Sequence, residues 1–357
     1  MGIEQERKSR LNGKLAAGAV LGIAITTTVQ AQSSSGVSLY GIIDTTIRYS
    51  NNNQGDNKLA ALTDGYFNGS RWGMRGNEAL GGGLSAIFNL ESGFDPSTGV
   101  SQQGTTTANY GQQSTGGQGR LFGRQAWVGL NHERFGRLTF GRQFTTGYDA
   151  TSRFQPNGHP NLDAVTIFNG YTGPRQDNMA KYVGQWGALS AGAYYTFGEV
   201  SGHMKPSSSY GATLGYKQGP VDVGGFWQQA NALTTPESRK VWGVGGNYQW
   251  GIVKLTFGYL NNRFDVSPTR NDVFSGGFAV AATSALTLSV ASHYDRQRNA
   301  SGSRIMVTGV ADYNLSKRTD IYAEIDFNRI NGAYALPTFM GVKGSKVGGG
   351  IGLRHRF

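Results

Sequence analysis

The sequence has no cysteine, so no disulfide can hold the fold together and no thiol can take part in catalysis. Glycine accounts for 55 of the 357 residues, well above the average usage of about 7 per cent. The sequence has no G-x-y repeat, however, and this excludes a collagen-like chain. Helical spacing of apolar residues is not sustained anywhere after the N-terminal segment. What remains is an all-β protein that is rich in turns and has an aromatic content of 11%.

The N-terminal segment has the pattern of a secretory signal peptide. Four cations in "RKSRLNGK" precede an apolar run at 15–25, which is too short to span a membrane as a helix. The small residues of "VQAQ" then provide a cleavage pattern. We expect residues 1–31 to be removed and residues 32–357 to form a single exported domain.

The charge balance is basic, with 33 Lys and Arg against 22 Asp and Glu, a formal net charge of +11. Such a balance raises the possibility of nucleic acid binding. However, the sequence contains neither a basic-aromatic nucleic-acid module nor zinc-ligand spacing, and an exported protein seldom meets a genome. We therefore expect no nucleic acid partner.

Motifs for catalysis, metal ions and cofactors are also missing. Neither G-x-S-x-G nor H-E-x-x-H occurs. The nearest grouping of catalytic residue types is His293 with Asp295 and Ser292, but in a strand Ser292 faces the opposite side. The sequence predicts that the protein is not an enzyme and has no metal site and no cofactor.

The rest of the chain alternates apolar and polar residues in segments of roughly ten, which is typical of β-strands. "VSLYGIIDTTIRY" at 37–49 is one example. Sixteen strands are predicted, at 37–49, 69–77, 84–93, 121–130, 136–143, 177–185, 188–197, 210–218, 220–229, 240–249, 252–261, 272–281, 285–294, 304–313, 319–327 and 346–357.

Short and long connections alternate strictly between these strands. This alternation indicates an antiparallel barrel with tight turns at one rim and long loops at the other. Tilted strands of about ten residues can cross a bilayer, and a closed sheet leaves no backbone edge facing lipid. Aromatic residues near strand ends, such as Tyr49, Trp250 and Phe327, are candidates for interfacial girdles. The last segment, "KVGGGIGLRHRF", would close the barrel against 37–49 and ends on Phe357.

Several motifs resemble those of the general-diffusion porins of Gram-negative bacteria, of the β-proteobacterial type. They are "VSLYGIIDTTI", "SRWGMRGNEALGGGLSAIFNLESGF", "GRLFGRQAWVGL", "FGRLTFGRQ" and "IGLRHRF". The resemblance implies a 16-stranded transmembrane barrel, a homotrimer in the outer membrane, and a third long loop folded into the lumen. It also implies that the C-terminal strand ending in Phe357 is an assembly signal for the barrel-assembly machinery. Outer-membrane lipid and lipopolysaccharide would be further partners.

Strand phase predicts which cations line the lumen. If Trp72 and Met74 face lipid, Arg71 and Arg75 face inward, and an outward Trp127 places Arg124 inward. The family carries an arginine cluster at its constriction, and Arg71 and Arg124 lie at matching positions. Lys181 stands where the family often has an arginine, so the charge is kept without the planar fork.

The loop at 144–176 is the expected infolded loop, with Asp149, Asp163 and Arg153. Carboxylates facing the wall arginines would create a transverse field across the passage. The alternative is that Asp149 or Asp163 only caps a turn or pairs with an arginine.

A second set of lumen charges lies near the C-terminus. Alternation in "DIYAEIDF" places Asp320, Glu324 and Asp326 inward as an acidic stripe that would balance the arginines.

The function expected from these features is passive diffusion of small hydrophilic solutes and ions across the outer membrane, with a preference for anions because of the inward arginines. A substrate-specific anion channel, for phosphate or carboxylates, is the alternative. A surface-recognition role for the polar loop at 97–119 is a further interpretation.

Overall fold

A computed structural model of the protein describes residues 35–104, 109–115, 119–155 and 170–357. The predicted signal peptide, residues 1–31, and the predicted loop residue Asp163 lie outside the described residues. No helix among the described residues is long and apolar enough to cross a membrane.

The described chain is almost entirely β-structure. In chain order its strands are β1 (Gly36–Ser50), β2 (Leu59–Asp64), β3 (Arg71–Gly81), β4 (Leu84–Phe94), β5 (Ser101–Gln102), β6 (Gln125–His132), β7 (Gly136–Phe144), β8 (Arg175–Trp186), β9 (Leu189–Thr196), β10 (Ser209–Gln218), β11 (Val221–Asn231), β12 (Ser238–Trp250), β13 (Val253–Phe264), β14 (Arg270–Ala281), β15 (Leu286–Gln297), β16 (Gly302–Asn314), β17 (Thr319–Asn331) and β18 (Ser345–Arg356). The short helix α1 (Thr146–Thr151) continues into a 3-10 turn at Ser152–Phe154, and residues 170–172 are also helical.

These strands form one closed antiparallel barrel. β1 pairs with β18, from Ile42 opposite Arg356 to Ser50 opposite Gly348. β1 also pairs with β3 along its first half and with β2 along its second half, so β2 continues the line of β3. β5 is a two-residue strand beside the end of β4. The barrel wall therefore consists of sixteen strands, as the sequence predicts.

All sixteen predicted spans overlap a wall strand. The sequence analysis missed β2, β5 and α1, and it started β6 at 121 whereas the strand begins at Gln125. Period-two alternation needs several residues to be visible, so a two-residue strand gives no signal. α1 is a single turn and a half, and its N-cap is Thr145, whose hydroxyl accepts a hydrogen bond from the Tyr148 backbone N–H at 3.1 Å.

The barrel is apolar outside and polar inside. Exposed large apolar side chains such as Phe257, Ile325 and Ile351 alternate with buried polar ones such as Asp326 and Thr256. This arrangement is the reverse of a soluble barrel and fits a wall whose outer face contacts lipid. Exposed aromatics lie near strand ends, where a girdle is expected.

The closing strand lies as the C-terminal sequence predicts. The backbone N–H and C=O of Phe357 both pair with Gly41, each at 3.1 Å. The Phe357 ring lies over Gly41, because a β-carbon at Gly41 would come within 2.3 Å of that ring. A glycine at position 41 therefore leaves room for the Phe357 ring to pack on β1 where the last strand pairs with the first.

Candidate functional site

The helix of the third long loop packs inside the barrel, against the inner face of β9 to β12. Its apolar side chains join those of the wall in one buried cluster. The members are Ala150, Phe154, Phe226, Val241, Leu260, Val273 and Met306. Burying apolar surface in an otherwise polar lumen fixes the position of the loop against one side of the wall.

Phe154 is the centre of this cluster and is 0% exposed. Its side chain lies over Gly245 and Gly258, where β-carbons would come within 2.8 and 2.7 Å of it. Ser275 donates a hydrogen bond from its hydroxyl to the Phe154 carbonyl at 3.1 Å. Glycines at inward positions of two adjacent strands therefore form a socket for the loop. The sequence analysis missed this contact. The signal in the sequence is a glycine at an inward position beside a large outward residue, as Gly245 follows Val244 and Gly258 follows Phe257.

Two predicted site residues fasten the loop and do not face an open passage. Arg153 forms an ion pair with Asp222 of β11 at 3.0 Å. Lys181 of β8 forms an ion pair with Asp149 at 2.5 Å and donates to the Phe144 carbonyl at 2.8 Å. Asp149 thus faces a wall cation. That cation, Lys181, was assigned to the constriction wall together with the arginines, and in the structure it links the wall to the loop.

A cavity of about 710 Å³ lies between the loop and the opposite wall. Its charged lining residues are Arg48, Arg71, Arg124, Arg175, Lys346, Asp64 and Asp95, and its aromatic ones are Tyr66, Phe67, Tyr148 and Phe339. Five cations against two carboxylates give the cavity a positive balance. Of the residues predicted for the constriction wall, Arg71 and Arg124 line this cavity, and Arg75 and Lys181 do not.

Arg71, Arg124 and Arg175, here called the arginine trio, differ in how they are paired. Arg124 donates from Nε to Glu91 at 2.7 Å, and Glu91 also accepts from the Tyr40 hydroxyl at 3.0 Å. Among the described residues, no carboxylate lies within 4.0 Å of Arg71 or Arg175.

Other contacts orient the two arginines that have no carboxylate partner. Arg71 donates from Nε to the Gly69 carbonyl at 3.0 Å. Arg175 lies over the Phe144 ring at 4.5 Å, and Phe144 stacks on Tyr148 with ring centroids 4.4 Å apart. Arg175 was missed because it lies where the loop re-enters the wall, where strand alternation gives no phase. These contacts hold both guanidinium groups without cancelling their charge.

The predicted acidic stripe points inward but is neutralised. Glu324 and Asp326 pair with Arg48 at 2.9 and 2.5 Å. Asp320 pairs with Arg354 at 2.9 Å and with Arg356 at 2.6 Å. The stripe therefore balances cations of β1 and β18, and its ion pairs do not include Arg71 or Arg124, which the sequence analysis assigned to the constriction wall.

Arg75 also faces the lumen but lies outside the cavity. Its guanidinium lies 5.3 Å from the centre of the Tyr40 ring. Arg75 is four residues after Arg71 on β3, and therefore nearer to the short turn that follows this strand. Arg75 is exposed. It is thus a solvated charge at the other side of the constriction.

A buried carboxylate joins two loops to the wall. Asp295 of β15 accepts hydrogen bonds from the Tyr171 and Tyr334 hydroxyls, both at 2.5 Å. Burial, together with the charge of Asp295, raises the pKa of both tyrosines, so both phenols stay protonated as donors. The end of the third loop and the last loop are in this way held against the same strand.

The described residues contain no group of three or more His, Asp or Glu side chains placed to hold a metal ion. The chemistry of the lumen is instead that of fixed charges and hydrogen-bond donors in a water-accessible cavity. Such a site can attract and orient charged solutes.

Comparison with known proteins agrees with this architecture. A family model described as Gram-negative porin matches residues 16–333. An outer membrane porin protein of Bordetella pertussis is 31% identical over 391 aligned residues, which cover 92% of this chain and 96% of that protein.

Two solved structures share the fold. An anion-selective porin from Comamonas acidovorans superposes with a TM-score of 0.78 at 23% identity, covering 91% of this chain and 100% of that one. The trimer form of OmpT, an outer membrane protein of Vibrio cholerae, gives a TM-score of 0.67 at 17% identity, covering 91% and 100%. The family match and the Bordetella relative show that the chain belongs to the Gram-negative porins and is located in the outer membrane.

Proposed function

We propose that this porin is a trimeric channel for passive diffusion of small hydrophilic solutes and ions, and that it prefers anions. The observation that carries the preference is the pair of cavity arginines, Arg71 and Arg175, that have no carboxylate within 4.0 Å among the described residues. The structural neighbour from Comamonas acidovorans is itself an anion-selective porin, which supports the same preference here. OmpT in its trimer form supports three-fold assembly.

The proposed mechanism is electrostatic. A charged group in a narrow aqueous passage attracts counter-ions and repels co-ions, and low-dielectric walls strengthen this effect. Arg71 on the wall and Arg175 at the loop approach the passage from two elements, so an anion contacts guanidinium groups as it passes. Glu91 offsets Arg124, so Arg124 contributes less than its charge suggests. In this proposal residues 1–31 are removed on export, and the channel carries out no chemical reaction.

The test is the zero-current potential of the purified mature protein in a planar bilayer across a KCl gradient. The native channel should insert in steps of three conductance units and give a potential that favours chloride. Arg71→Gln/Arg175→Gln should move that potential clearly toward zero or toward potassium. Arg75→Gln is the control, since it removes an exposed lumen cation outside the cavity, and it should leave the potential nearly unchanged.

An unchanged potential in the double variant would refute the anion assignment. A native channel that favours potassium would show that loop carboxylates dominate over the trio.

A specific channel for phosphate or carboxylates is the second candidate, favoured by two guanidinium groups that can each hold such an anion in a bidentate manner. Adding phosphate or a dicarboxylate to the chloride solution should then block the current in a saturable way. Current that changes only with ionic strength would leave the general channel as the function.

A further inference from the structure

A second cavity adjoins the one that holds the arginine trio. Its volume is about 430 Å³, and Pro174 lines both cavities. The described residues that line it come from the ends of β11 and β12 next to the loop at 232–237, and from the two stretches 109–112 and 170–176. Pockets of about 300–1,000 Å³ are typical sites for small molecules. This cavity is here called the side cavity, and the larger one the passage cavity.

A single cation supplies the charge of the side cavity. Arg239 of β12 is the one charged residue among the described residues that line it. Its Nε donates to the Asn262 side-chain oxygen at 2.8 Å, and its Nη2 donates to the Gly170 carbonyl at 2.6 Å. Among the described residues, no carboxylate lies within 4.0 Å of this guanidinium, and its Nη1 makes no hydrogen bond. The guanidinium is thus held at two atoms and keeps both its charge and a donor.

Aromatic rings border this guanidinium. Its Cζ atom lies 5.5 Å from the centre of the Tyr171 ring and 5.8 Å from the centre of the Phe264 ring. Phe264 in turn meets Tyr110 edge to face, with ring centroids 6.4 Å apart. Tyr110 and Tyr171 line the side cavity together with the apolar side chains of Ala230 and Val241. The lining therefore offers ring and apolar contacts beside the charge.

The glutamines of the lining leave acceptors unpaired. Gln112, Gln176 and Gln228 each donate from Nε2 to a backbone carbonyl, at 3.2, 3.0 and 2.5 Å. The Oε1 atoms of Gln112 and Gln228 are buried and have no hydrogen-bond partner among the described residues. Gln228 is only 3% exposed. A buried acceptor without a partner costs free energy, so a donor from outside the chain would stabilise either position.

We propose that the side cavity binds a small aromatic monocarboxylate that carries a hydroxyl group. The carboxylate accepts a hydrogen bond from Arg239, and the ring lies against Tyr110 and Tyr171, where offset or edge-to-face contacts are favourable. The hydroxyl donates to one of the two unpaired glutamine oxygens. This inference goes beyond the proposed function, because the ligand binds beside the passage cavity and not in it.

Two related classes of anion fit the side cavity less well. A dicarboxylate would bury a second negative charge with no cation to pair it, since Arg239 is the one charged residue of the described lining. A sugar acid carries several hydroxyl groups that need partners. The Nε2 groups of the lining glutamines already bind backbone carbonyls, so most of those hydroxyls would be buried without hydrogen bonds.

The experiment is a calorimetric titration of the purified mature protein in detergent with 4-hydroxybenzoate. Three further probes each lack one feature. Benzoate lacks the hydroxyl, 4-hydroxybenzyl alcohol lacks the carboxylate, and glucuronate lacks the aromatic ring. The native protein should bind 4-hydroxybenzoate in a saturable way and benzoate about fivefold more weakly, as expected for one neutral hydrogen bond. The alcohol should bind about 50-fold more weakly, because it loses the charged hydrogen bond. Glucuronate should bind more weakly than benzoate.

The test variant is Arg239→Gln, which should bind 4-hydroxybenzoate about 50-fold more weakly and the alcohol with unchanged affinity. Lys240→Gln is the matched control. It removes the next cation on β12, which faces the other side of the strand and pairs with Asp265 at 2.8 Å, and it should bind all probes as the native protein does. Heat-modifiable gel migration verifies folding. The probe series on the native protein tests the proposal even if Arg239→Gln does not fold.

The outcome is separable from the anion preference of the channel. Arg239 does not line the passage cavity, so Arg239→Gln should lose the probe and keep the native zero-current potential. Arg71→Gln should shift that potential and keep the probe.

Equal affinities of Arg239→Gln and Lys240→Gln for 4-hydroxybenzoate would overturn the proposal, as would equal affinities of the native protein for the acid and the alcohol. Loss of the probe in Arg71→Gln would place the ligand in the passage cavity instead. Tighter binding of glucuronate than of benzoate would rule out the aromatic class.

Discussion

Two parts of the lumen wall each carry three inward arginines, yet they differ in net charge. On β1 and β18, Arg48, Arg354 and Arg356 all pair with carboxylates of β16 and β17. The arginine trio, on β3, on β8 and just before β6, has one carboxylate partner, Glu91, which pairs with Arg124. The number of inward cations is therefore a poor guide to the field in the passage. What matters is which of them remain without an opposite charge.

The paired wall should matter mainly for stability. Asp320→Asn leaves two cation partners facing a neutral amide at a position that is 0% exposed, and removing one partner of a buried ion pair costs about 3–5 kcal/mol. We expect that loss in the free energy of unfolding, measured by denaturant titration in lipid or detergent. The zero-current potential should change little, because Asp320, Arg354 and Arg356 do not line the cavity that holds the arginine trio.

Arg356→Gln is the control, because the Arg356 side chain is 38% exposed and its loss should cost much less. If Asp320→Asn instead shifted ion selectivity more than stability, the two walls would not differ in the way described.

The position of the loop opposite the trio depends on Phe154. Phe154→Ala empties the socket over Gly245 and Gly258, and truncating a buried phenylalanine typically costs about 3–5 kcal/mol. We expect most of this to weaken the docking of the loop, so single-channel conductance should rise and anion preference should fall. Phe154→Leu retains most of the apolar contact and should lie between the two. Native conductance in Phe154→Ala would mean that the ion pairs of Arg153 and Lys181 hold the loop unaided.

The smallest effect, and one of opposite sign, is expected from Glu91. Glu91→Gln removes the charge that offsets Arg124, so anion preference should increase, whereas Arg124→Gln should reduce it. Two charges about 4 Å apart in water interact by roughly 1 kcal/mol, so the permeability ratio should change by no more than about fivefold. Reversal potentials of the two single variants, measured side by side, check this. Shifts in the same direction would contradict the pairing of Arg124 with Glu91 as the reason for its weak contribution.

The periodicity of the sequence predicted more of the fold than of the site. A strand that separates lipid from water must alternate, so sixteen strands, their antiparallel order and the inward direction of Arg71 and Arg124 followed from a period of two. Arg175 gave no such signal, because it lies where a loop meets a strand. Lys181 was assigned to the constriction wall from the family resemblance, and neither resemblance nor alternation shows that a helix 32 residues away in sequence supplies its partner Asp149.

The sequence by itself determined how many strands form the barrel wall, which face of each strand meets lipid, and that the C-terminal strand pairs with the first one. Each of these depends on local pattern and on the need to pair every backbone group. Only the tertiary structure decided which charges cancel. Arg48 meets Glu324 across 276 positions of sequence, and Coulomb energy depends on the distance in space between two groups and on the water between them. That distance exists only once the barrel has closed, which is why the same residue type is a stabilising ion pair on one wall and an unpaired charge in the passage on the other.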